Sequence, residues 1–167
     1  MRRLVAISIP VVFSVVCAGL LAENSSVIGR WKLNVAKSKF TPGSGPKNAT
    51  LTIEVQGVSM KTSYEESEAD DSRGAYEYTA TYDDGKDYPI SGSGRSSWRD
   101  DLLGGAETIT IRRSGSNSFG AQFKKSGQVV MTSRTVASKD GKVLTMTANG
   151  ADAKGQPVTL VTVWDKQ

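Results

Sequence analysis

Arg134 stands in Thr132-Ser133-Arg134-Thr135-Val136, a run of β-forming residues, and is the polar side chain best placed to act on a ligand. If it faces inward with its alternation partners Val130, Thr132 and Val136, its fork of N–H donors can anchor an anionic or carbonyl-bearing group. A lone strand arginine is more often solvated or laid along an aromatic ring. A solvent-exposed arginine is therefore the competing reading. Tyr64, Tyr76, Tyr78 and Tyr82, with Met146 and Trp164, are the candidate cavity-lining residues. Their apolar bodies can enclose a guest while a few hydroxyls orient it. The plainer alternative is ordinary core and strand surface, since aromatics suit pleated sheets.

Other chemistry is harder to build from this sequence. The run Glu65-Glu66-Ser67-Glu68-Ala69-Asp70-Asp71 lacks the spaced Asp/Asn-with-Gly pattern of a calcium loop and reads as a solvated acidic hairpin. Histidine is absent from the whole chain. That excludes His-based acid–base catalysis and nearly every zinc site. No catalytic residue, metal or cofactor is expected, and an enzyme is the least favoured class. Arg112-Arg113 and Lys124-Lys125 are basic pairs that a hairpin could bring together. Without interleaved stacking aromatics they do not make a nucleic-acid site.

The first 22 residues carry Arg2 and Arg3, an apolar run from Leu4 to Val16, and small residues ending at Ala22. These are the three regions of a secretory signal peptide, with an uncleaved anchor as the alternative. A lipid attachment at Cys17 is rejected, because Ser14 and Val16 occupy positions that would need a branched apolar and a small residue. Cleavage after Ala22 leaves a single domain over 23–167, exported to the periplasm or outside the cell, with no cysteine and no membrane span. Removing Arg2 and Arg3 lowers the net charge from +4 to +2, too mild to imply an acidic partner.

The elements that must position these residues are strands. Leu51, Ile53 and Val55 alternate with polar residues, as do Tyr76, Tyr78, Ala80 and Tyr82, then Ile109 with Ile111, and Phe119 with Ala121 and Phe123. Period-two patterning rich in Val, Thr, Tyr and Ile predicts strands. Asp83-Asp84-Gly85, Lys125-Ser126-Gly127 and Lys139-Asp140-Gly141 supply hairpin turns. The spacing predicts an all-β, antiparallel up-and-down meander barrel of about 8–10 strands with little helix. A segment at 91–106, with Trp98, Leu102 and Leu103, breaks the rhythm as a long loop or short helical turn. Polar second faces on most strands mean an outside that is wet rather than lipid-facing.

Three pieces carry a family resemblance: GRWKLNVAKSKF (29–40), SRTVASKDGKVLTMTANG (133–150) and VTVWDKQ (161–167). In that order they resemble the first strand and closing strands of the lipocalin and fatty-acid-binding-protein (calycin) barrels. The opening also resembles small secreted bacterial proteins without an assigned activity. The resemblance implies that Gly29 and Trp31 begin the barrel and that Trp31 plugs its closed end. It implies a carboxylate-binding role for Arg134, matched in the family by an Arg-x-Tyr pair on the last strand, or, as in lipocalins, an arginine stacked on Trp31 at the barrel base. Here Thr162-Val163-Trp164 stands in that place, and 41–48 is too short for the family's helical lid. The expected function is binding of a small hydrophobic or amphipathic molecule. The alternative is a filled barrel or sandwich serving as a structural or interaction domain, with an exposed apolar patch sought around Trp98, Leu102 and Leu103.

Overall fold

The computed structural model describes residues 26–41, 43, 45–94, 96, 100 and 102–167. The leader, Cys17 and Trp98 lie outside the described residues. Twelve strands form one antiparallel sheet: β1 (Gly29–Leu33), β2 (Lys39–Thr41), β3 (Asn48–Gln56), β4 (Ser59–Ser67), β5 (Arg73–Thr81), β6 (Tyr88–Pro89), β7 (Ser91–Gly94), β8 (Thr108–Gly115), β9 (Ser118–Lys125), β10 (Gln128–Ala137), β11 (Val143–Ala151) and β12 (Pro157–Lys166). The count exceeds the sequence expectation by two. Three-residue β2 is too short to show alternation, and the chain around Tyr88–Ser91 splits into β6 and β7.

Hydrogen bonding runs β6-β8-β9-β10-β11-β12-β1-β3-β4-β5-β7. The first strand thus pairs with the last, Trp31 opposite Lys166, and with β3, Trp31 opposite Leu51. This closes an up-and-down meander into a barrel, the architecture the family resemblance implied. The remaining seam lies between β5 and β8. The Asp83 N–H donates to the Ile111 carbonyl at 3.2 Å, and the Asp83 carboxylate accepts the Arg113 N–H at 2.9 Å. Among the described residues no helix is long and apolar enough to cross a membrane.

The closed end is built around the opening motif. Trp31 is wholly buried, and its indole N–H donates to the Val27 carbonyl at 3.0 Å. The Lys166 ammonium sits 5.0 Å from the ring centroid. Gly29 makes this possible: its φ of +138° favours glycine, and a Cβ there would meet the Lys166 side chain at 2.9 Å. The opposite end is covered by the segment that breaks the strand rhythm. Ser96, Leu102, Leu103 and Ala106 are buried, and the Asp100 N–H donates to the Ser96 carbonyl at 2.8 Å. Gly104, at φ +65°, packs so tightly here that a Cβ would lie 2.7 Å from the Ala151 carbonyl. Leu102 and Leu103 therefore belong to the core, which corrects the expectation of an exposed patch at those two residues. Their apolar side chains gain more inside than on the surface.

Candidate functional site

Alternation decides which candidates meet. On β4 the inward residues are Met60, Thr62, Tyr64 and Glu66, and on β5 they are Tyr76, Tyr78 and Ala80. On β12 Leu160, Thr162 and Trp164 point in. Tyr64, Tyr76, Tyr78, Met146 and Trp164 line one interior cavity. Tyr64 stacks on Tyr76 with ring centroids 4.8 Å apart and meets Trp164 edge-on at 6.1 Å. Trp164 donates its indole N–H to Thr162 Oγ1 at 2.9 Å. Tyr82 sits apart, toward the closed end. Its hydroxyl donates to Met60 Sδ at 2.9 Å, and the Arg113 guanidinium lies 5.3 Å over its ring.

Arg134 faces the other way. Met131, Thr135 and Ala137 are the buried residues of β10, so Arg134, with Thr132 and Val136, points to solvent and is exposed. The inward-anchor reading is corrected. An arginine on the inner face would need a buried counter-charge beside Ser133 and Thr135, and solvation outside is cheaper. Nor does Arg134 stack on Trp31, since the cation over that ring is Lys166. The basic pairs also stay apart: Lys124 stands opposite Thr108 and Arg112 opposite Gly120, toward opposite ends of the β8–β9 ladder.

Two residues of the interior escaped the sequence reading. Glu66, taken with the solvated acidic run, is buried, and its carboxylate accepts the Tyr64 hydroxyl at 2.6 Å. Its signal was its phase, two residues beyond Tyr64 on an alternating strand. Thr62 is also buried, lines the cavity, and its Oγ1 has no hydrogen-bond partner. It is the Cα partner of Tyr78 across the β4–β5 ladder. Burial pushes the Tyr78 phenol up to about 12, with the Thr62 hydroxyl beside it acting the other way. Burial first, and then the Glu66 carboxylate, hold the Tyr64 phenol well above its usual range.

The cavity enclosed by these walls is about 30 Å³. That is room for one oxygen-sized group, far below the several hundred Å³ of a typical ligand pocket. Larger concavities of about 520 Å³ and 340 Å³ lie at β3, β4, β5 and β7 and share Glu65, Ala75 and Ser93. These three residues occupy one register row and alternate with buried Tyr64, Glu66, Gly74 and Tyr76, so the groove is on the barrel's outer face.

No family model matches the chain, and no curated protein matches it. Among solved structures, the zebrafish ileal bile acid-binding protein, determined in complex with cholic acid, is similar at 12% identity. The match covers 86% of this chain and 100% of that one, with a TM-score of 0.46. A likeness that loose carries no residue role or ligand across.

Proposed function

We propose that the chain is an exported binding module that takes a small, largely apolar molecule into the barrel interior. The observation that carries this reading is the interior's mixed chemistry. Aromatic walls from Tyr64, Tyr76, Tyr78 and Trp164 surround hydroxyls at Thr62, Ser133 and Thr135. A barrel filled for stability alone gains most from aliphatic side chains, because a buried hydroxyl without a partner costs about 1–3 kcal/mol. An apolar enclosure with a few placed polar groups is how small-molecule sites are built. The resting interior is closed, so a guest must displace side chains. Met146, on the cavity wall, is the adaptable one. The β5–β8 seam, held by the Asp83 hydrogen bonds, is where the wall can part. The three-part leader pattern in residues 1–22 supports export.

A second reading is favoured by one observation. The outer groove is larger than the interior cavity, and a filled barrel could recognise a partner there. Uptake of an environment-sensitive hydrophobic dye separates the two. Ser133→Leu fills the interior and is expected to abolish uptake, whereas Ala75→Trp fills the outer groove and is expected to leave uptake intact. The reverse pattern would transfer the function to the outer groove. No uptake by the unmodified chain would refute the interior reading.

A further inference from the structure

We infer that the barrel selects a neutral apolar guest bearing a hydroxyl or carbonyl oxygen, which docks between Thr62 and Tyr78. The inference rests on the interior reading above and adds to it the chemical class of the guest. Thr62 Oγ1 is buried on β4 without a hydrogen-bond partner, its cross-strand neighbour is Tyr78, and both border the 30 Å³ cavity. A buried polar group in a fold is ordinarily satisfied, so an unpartnered hydroxyl facing an oxygen-sized space marks a place for a guest's polar atom. Ser133 and Thr135 complete the polar lining, and each offers both a donor and an acceptor. The Tyr78 phenol, protonated at neutral pH, offers the same.

The same lining disfavours an acid. Among the described residues that border the cavity, none carries a positive charge, and Arg134 faces solvent. A carboxylate placed there would be desolvated against neutral hydroxyls, without the charge-assisted partner that makes such burial tolerable. Glu66 sharpens the discrimination, because it sets a buried carboxylate one inward position beyond Tyr64 on the same strand. A neutral oxygen meets neither obstacle. One added hydrogen bond to Thr62 is worth about fivefold in affinity.

The test compares three probes of equal chain length at neutral pH: 1-octanol, octanoate and 1-chlorooctane, each competing with a bound hydrophobic dye. Octanol is expected to bind at least about tenfold more tightly than octanoate. Thr62→Val should weaken octanol about fivefold and leave 1-chlorooctane unchanged, while Thr62→Ser, which keeps the hydroxyl, restores octanol binding. A structural role for Thr62 would move both probes together. Octanoate binding as tightly as octanol, or octanol indifferent to Thr62→Val, would overturn the selection while leaving interior binding intact. If none of the three probes displaces the dye, both the selection and the interior reading fall.

Discussion

Raising the pH should unfold this protein through its buried tyrosines, and the size of the effect follows from where they sit. A tyrosine in an unfolded chain ionises near pH 10. Burial pushes Tyr78 up to about 12 in the folded barrel. The folded state therefore keeps a proton that the unfolded state loses. Its contribution is fully present below about pH 10 and declines as pH rises from there through the folded value. Two pH units at about 1.36 kcal/mol each amount to about 2.7 kcal/mol from Tyr78. Tyr64 is shifted in the same direction by burial and then by Glu66, and Tyr82 by burial and then by Tyr78, so both add to the loss. Against a usual domain stability of about 5–15 kcal/mol, the sum is enough to bring unfolding within reach. The assay follows phenolate absorbance and near-ultraviolet circular dichroism together through an alkaline titration. The buried phenols should ionise only as the dichroism collapses. All five tyrosines titrating near pH 10 in a chain that stays native would mean a wet interior and would refute the reasoning.

Other perturbations have equally definite outcomes. Trp31→Ala removes a wholly buried indole, its hydrogen bond to Val27 and its contact with Lys166, and should cost about 3–5 kcal/mol in denaturant unfolding. Thr62→Val deletes a buried hydroxyl without a partner and should raise stability by about 1 kcal/mol; a loss of that size would mean the hydroxyl is already satisfied. Arg134→Ala, on the wet face, should stay within about 0.5 kcal/mol of the parent and leave dye uptake unchanged.

Much of the barrel was legible because its strands differ from face to face. In β5 Tyr76, Tyr78 and Ala80 are inward and Glu77 and Thr79 outward, so burial follows alternation without ambiguity. β10 offers no such contrast. Met131, Ser133, Thr135 and Ala137 face in while Thr132, Arg134 and Val136 face out, and both sets mix apolar with polar residues. A register shift between Val129 and Met131 further obscures the phase. Arg134 was misplaced for that reason. Glu66 was missed because a run of carboxylates reads as one solvated patch, although the phase set by Met60, Thr62 and Tyr64 carries it inward. The gap at Thr62 depends on where Tyr78 and the β10 hydroxyls come to rest across the barrel, which no local pattern encodes. Trp31 was legible from Gly-x-Trp, but the cation above it comes from Lys166, paired through β1 with β12.

The central claim is that the closed interior opens to a small molecule. It is tested most directly by native mass spectrometry of the protein purified from the cells that make it, before and after denaturing extraction. The account predicts a reproducible small-molecule adduct that disappears on extraction and is replaced by added 1-octanol. A bare polypeptide mass that takes up neither octanol nor a hydrophobic dye would contradict it.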